Sequence, residues 1–290
     1  MPRIFIILLL CAASYSASLF SAPILNCKSP TGQTIFTDDI RKCGTQKATE
    51  LHPKISEATR VNYRYPERQY EKVTSRWPIF IERPEKESDQ KLYDKAVSRL
   101  EKTLDLVFSK FPQQSHTKLK TVTYYIMRGP KASLGGEDRV LRYAGHNSTK
   151  RYSLHDSRWE NAVIIYNVEN YLGLTDTWNN KTITHELSHA WHHLNWGYEH
   201  QPIMNAWLNS RSSGLYLSVK SIDGKVLTPA YASTNNMEYF AELSSIYFAG
   251  GVYYPFTKDG LKTYDPTGYA MVQKHWLIND GATPEKLASQ

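Results

Sequence analysis

Glycine and proline are scarce in this chain, 15 and 14 of 290 residues, and no segment repeats or falls to low complexity. That scarcity excludes collagen-like and mucin-like sequences, and a hydrophobic content of 41% excludes a disordered one. Cysteine is scarcer still, with residues only at positions 11, 27 and 43. No nucleic-acid-binding motif occurs. The excess of 35 Lys+Arg over 28 Asp+Glu, a formal charge of +7, is spread along the chain rather than gathered into a basic tract. Such a charge suits solubility and attraction to an anionic envelope surface or an acidic substrate.

What the sequence does have begins at its start. Met1-Pro2-Arg3 carries one positive charge, Ile4 to Ala13 is apolar, and Ser14 to Ala22 is rich in Ser and Ala. That order is the pattern of an export signal over residues 1–22, with cleavage expected between Ser16 and Ala22. An uncleaved anchor is the competing reading, because nothing from Ile4 to Cys27 is charged. Removal of a leader containing Cys11 leaves Cys27 and Cys43 as an even pair, which in an exported protein suggests one disulfide; two buried thiols are the alternative. Residues 28–39 between them read as two extended pieces around a Pro/Gly turn, so a β-hairpin module is expected over 23–45.

Residues 46–89 are polar and without sustained period, and read as a linker carrying one short strand at Ile79–Ile81. From Lys91 to Phe111 the apolar residues Leu92, Ala96, Val97, Leu100, Leu104, Val107, Phe108 and Phe111 keep helical spacing, and Pro112 stops them. Leu119–Met127 and Ala162–Val168 are β-branched and aromatic, and read as strands. The stretch between them, with Gly135-Gly136 and several Arg and Lys, reads as a loop that either covers a cleft or is a solvated insertion. Near the end, Asp265-Pro266 predicts a helix start, with a short amphipathic helix to Ile278.

Chemistry concentrates in Thr182–Leu194, which contains His185-Glu186-Leu-Ser-His189. On a helix the two histidines project side by side and can ligate one metal ion, while Glu186 lies about 100° round, within reach of a water on that metal. Ile183, Leu187, Ala190, Trp191 and Leu194 form an apolar stripe that buries the helix along one side. The composition yields His-Glu-x-x-His by chance only about 0.02 times in a chain of this length. Zinc, one ion per chain, is the expected metal. A third histidine in the extended metzincin spacing is excluded, because His192 and Asn195 stand where Gly and His would be required.

The remaining route to a third ligand is a carboxylate from a second helix. Glu238, 49 residues after His189, is the candidate, in a segment whose stripe is Met237, Phe240, Ala241, Ser244, Tyr247 and Phe248. Two other readings compete: Glu238 as the N3 partner of an Asn235 N-cap, and Glu242 as a solvated residue rather than an acceptor that orients a zinc-bound histidine.

The two segments together, His185-Glu186-x-x-His189 and then Tyr231 followed by Glu238-Tyr-Phe-Ala-Glu242, resemble zinc metallopeptidases of the anthrax lethal factor and Pro-Pro endopeptidase type. The resemblance implies zinc on His185, His189 and Glu238, Glu186 as general base, and Tyr231 assisting at the scissile carbonyl. It is carried by these two segments and extends loosely from Lys91 to Gly251. His192 and His193 beside the metal face, and the basic 128–160 stretch, depart from it.

The expectation is thus an α+β chain: a zincin-like zinc metallopeptidase domain over 90–290, with a small mixed sheet and two metal-bearing helices, preceded by the disulfide hairpin and the linker. It would be exported, periplasmic or secreted, and act on a protein or peptide, with no nucleic-acid partner. A cell-wall peptide amide as substrate, a catalytically silent zinc module of the envelope, and a basic adhesin with incidental histidines are the alternatives.

Overall fold

The computed structural model describes residues 68–128, 140–146 and 156–278, and the backbone of 25–28 and 34–37. The chain divides into two units, 1–49 and 50–290. In the first, β1 (Leu25–Lys28) pairs antiparallel with β2 (Thr34–Thr37), with Cys27 opposite Ile35. The expected hairpin strands are there; the leader, Cys43 and the Cys27 side chain lie outside the described residues.

In the second unit the sequence runs β3 (Tyr70–Lys72), β4 (Ile79–Glu82), α1 (Glu87–Lys110), α2 (His116–Leu119), β5 (Thr123–Ile126), β6 (Leu141–Ala144), β7 (Ala162–Ile165), α3 (Val168–Leu172) and α4 (Asp176–Trp196). Then follow α5 (Gln201–Ser212), β8 (Val219–Lys220), β9 (Val226–Leu227), α6 (Asn236–Phe248), α7 (Lys258–Tyr264) and α8 (Pro266–His275). The fold is α+β with a small mixed sheet, ordered β3-β4-β5-β7-β6. β4, β5 and β7 are mutually parallel, and β3 and β6 close the two edges antiparallel.

Two differences from the sequence reading have physical causes. Tyr70–Lys72, within the expected linker, forms a strand that pairs with the expected strand at Ile79–Ile81; Tyr70 and Glu71 are polar enough to look like connecting chain because β3 is an edge strand. The stretch between the two expected strands holds β6, whose four residues are too few for a period to register. Among the described residues β6 ends the sheet on that side, and the Ala162 strand is therefore interior. Its unbroken apolar run, Ala-Val-Ile-Ile, is what a strand covered on both faces requires.

Alternation assigns the faces. Ile79, Ile81, Tyr124, Ile126, Leu141, Tyr143, Val163 and Ile165 join the main core under the helices, while Tyr125, Met127, Ala144, Ala162 and Ile164 line a second cluster with Trp159 and Tyr166. α1 presents Tyr93, Ala96, Leu100, Leu104, Val107 and Phe108 to the first core, as its spacing predicts. Leu119 ends α2 rather than opening a strand. α6 packs against α4 along most of its length and against α8, whose Trp276 ring lies parallel to the Trp191 ring of α4 at 5.3 Å. Each such large buried apolar group contributes about 2–3 kcal/mol to holding these helices together. Among the described residues no helix is long and apolar enough to cross a membrane.

Candidate metal centre

α4 starts where the Thr175 side chain accepts the Trp178 N–H and ends at Gly197, whose φ of +75° reverses the chain at no steric cost. Between them the expected stripe is buried: Ile183, Leu187, Ala190 and Trp191 fully, Leu194 in part. α6 is opened by Asn235, whose side chain accepts the Met237 and Glu238 N–H groups at 2.9 Å each. The cap reading of this helix start is thus correct, and it does not compete with the ligand reading. Asn235 serves the backbone, and the Glu238 carboxylate turns inward to the histidines. Residues Glu238 through Tyr247 are all buried, so α6 is a core helix with no solvated side.

The donors converge. His185 Nε2 lies 3.0 Å from Glu238 Oε2 and 3.0 Å from His189 Nε2, and His189 Nε2 lies 3.1 Å from Glu238 Oε2. Among the described residues these three are the one cluster of histidine, cysteine or carboxylate groups able to hold a metal ion. Hydrogen bonds cannot satisfy such a triangle, since each ring nitrogen carries at most one proton and can aim it at only one partner. A tetrahedral zinc site with bonds of about 2.0–2.1 Å has donor–donor edges of about 3.3 Å, close to the separations here.

Charge agrees. Glu186, Glu238 and Glu242 are all buried, and Lys181 is the buried ammonium among them, so with neutral imidazoles the centre carries −3 + 1 = −2. A divalent cation neutralises it. Without one, His185 takes the part. Burial and the Lys181 ammonium push its pKa down, yet bonding to Glu238 and Glu242 outweighs them and holds it at about 9. Against their own burial, Glu238 is held well below the carboxylate range by His189 and His185, and Glu242 at about 2 by Lys181 and His185.

Glu242 is fully buried, which removes the solvated-residue reading. Its Oε1 lies 2.7 Å from His185 Nδ1 and also pairs with Lys181. Glu186 stands apart from the three donors. Its Oε2 accepts the main-chain N–H of Tyr143 on the edge strand β6 at 2.6 Å. That N–H points off the sheet, because the ladder bonds to β7 are made from the alternate residues, as in Tyr166 N–H to Val140 C=O. Tyr231 lies in a 3₁₀ turn just before α6, its ring 5.9 Å from the His185 ring between centroids. Burial and the nearby Glu238, Glu186 and Glu242 carboxylates push its hydroxyl well above 10, so it stays protonated.

The two extra histidines take other roles. His192 is buried against Phe240 and Trp196, and burial together with neighbouring histidines lowers its pKa to about 3. His193 turns toward β6, where its Nε2 accepts the His146 N–H at 3.1 Å and its ring lies over Gly145 so closely that a Cβ there would meet it at 3.1 Å. Three participants escaped the sequence reading: Lys181, the Tyr143 amide, and Tyr253, which interacts with Glu242. Lys181 had a signal, lying four residues before His185 on the metal face. The Tyr143 N–H had none, being main chain.

No family profile, no curated protein and no solved structure matches the chain.

Proposed function

We propose that this chain is an exported, zincin-like zinc metallopeptidase that hydrolyses peptide bonds. The observation that carries the reading is the division of labour among four groups, of which only His189 is half-buried and the rest buried: His185, His189 and Glu238 converge on one point, and Glu186 stands beside them without joining the triangle. A purely structural metal site needs no such carboxylate.

Zinc held by His185, His189 and Glu238 would supply a water with pKa lowered toward about 7 and polarise the scissile carbonyl. Glu186 takes the proton from the attacking water; the C–N bond then breaks and the same carboxyl returns the proton to the leaving amine. The Tyr143 N–H holds one Glu186 oxygen, which fixes the carboxylate while the other oxygen works. Tyr231, protonated at all ordinary pH, donates its hydrogen to the oxyanion that develops on the carbonyl. An extended peptide would run alongside β6, the last strand of the sheet among the described residues, whose Tyr143 amide reaches Glu186. Export rests on the leader pattern of residues 1–22, and the two motif segments resemble those of secreted zinc peptidases.

The test is Glu186→Gln, assayed for zinc content and against a diverse peptide library. Zinc at one equivalent with hydrolysis reduced by at least about 10²-fold is expected. A variant that cleaves as fast as the parent removes the enzymatic reading, and a parent that retains no zinc removes the metal reading.

A further inference from the structure

The buried ammonium of Lys181 belongs to no step of hydrolysis. It is only 8% exposed, lies one helical turn before His185 on α4, and pairs with Glu242 of α6. Both Lys181 Nζ and His185 Nδ1 approach the same carboxylate oxygen, Oε1. One oxygen atom therefore receives both the ammonium and the ligand's imidazole.

We propose that Lys181 is a positioning residue of the metal site: its ammonium pins the Glu242 carboxylate against His185 Nδ1, which fixes the ring with Nε2 facing His189 and Glu238. The inference rests on the zinc reading above. Its physical basis is that a fully buried carboxylate left with only an imidazole N–H and the Tyr253 hydroxyl is under-compensated once that imidazole is the neutral ligand of a metal. Such a group is free to rotate, and the ring then loses the acceptor that orients it. Lys181 removes that instability from one helical turn away, so Glu242 stays against His185 when the ring is the neutral ligand. The spacing of four residues is what makes this possible, because it stacks Lys181 and His185 on one face. A salt bridge that merely ties α4 to α6 would need no contact with a ligand's imidazole on the same oxygen.

Zinc affinity, measured on the full chain by competition with a chromophoric chelator, decides the matter, with melting of the metal-free proteins recorded alongside. Lys181→Met is expected to weaken zinc 10- to 100-fold, the usual effect of losing a group that orients a metal ligand. Glu242→Gln keeps an acceptor for Nδ1–H without a charge to compensate. The double variant Lys181→Met/Glu242→Gln is therefore expected to bind zinc within about threefold of Glu242→Gln alone. Parent affinity in a Lys181→Met protein with a lowered melting temperature overturns the proposal, since the bridge then only holds helices together. If Lys181→Met fails to fold, the double variant decides: a further tenfold loss relative to Glu242→Gln means that Lys181 acts independently of Glu242, which also overturns it. A parent that binds no zinc overturns this inference and the zinc reading together, whereas a parent that binds zinc and cleaves nothing leaves this inference to be decided by the affinities.

Discussion

Binding of zinc should expel a proton, and the number is set by His185. In the metal-free protein this group is held at about 9, so at pH 7 it is about 99% protonated. A zinc ligand must be neutral imidazole, so ligation at pH 7 displaces about one proton from this ring. The gap between pH 7 and a pKa of about 9 costs about 3 kcal/mol of the apparent binding free energy. The apparent dissociation constant should accordingly fall about tenfold per pH unit between pH 7 and 9 and level off above. Titration calorimetry in buffers of differing ionisation enthalpy reads the proton count directly, and chelator competition at pH 7, 8 and 9 reads the slope. The same linkage gives the stability of the metal-free protein its sign. A histidine raised in the folded state adds stability that is complete below about pH 6.5 and vanishes as pH rises through about 9. Zinc affinity that is flat from pH 7 to 9, with no proton released, would refute the claim that His185 carries the compensating charge in the empty centre.

Two further outcomes follow from neighbouring groups. Tyr231→Phe should leave zinc content unchanged and lower kcat about 10²-fold with little change in KM, because the hydroxyl acts on charge that exists only in the transition state; an unchanged kcat removes Tyr231 from catalysis. His192, lowered to about 3 by burial, binds its proton more weakly folded than unfolded, so this group costs about 1.4 kcal/mol of stability for each pH unit below about 6.5. Urea melts of the parent and a His192→Phe variant between pH 6.5 and 4.5 should therefore diverge as pH falls, the parent weakening faster; parallel decline assigns the acid sensitivity elsewhere.

Legibility of the fold in the sequence followed the length of each pattern. α1 declares itself through six turns of apolar spacing, and α8 through Asp265, whose side chain does accept the Gly268 N–H. The metal ligands were readable because a helix converts a spacing of four into shared direction, and because a Glu after an Asn cap marks a helix start. β6 was not readable, since Leu-Arg-Tyr-Ala carries neither alternation nor length. Nor could the sequence say which main-chain N–H groups point away from their sheet, although one of them holds Glu186. Lys181 was overlooked for another reason. A lysine on a polar face is ordinarily solvated, and only the arrival of Glu242 from a distant helix shows that this one is enclosed.

The packing of the His193 imidazole on Gly145 sets a gauge between the motif helix and the edge strand. With hydrogen as the entire side chain at 145, the two elements stand as near as the ring's thickness permits. A larger residue there would meet the ring at 3.1 Å, and either the ring or the strand would have to give by a few tenths of an ångström. The smallest residue in the neighbourhood thereby sets how near the strand that holds Glu186 can come to the helix that carries it.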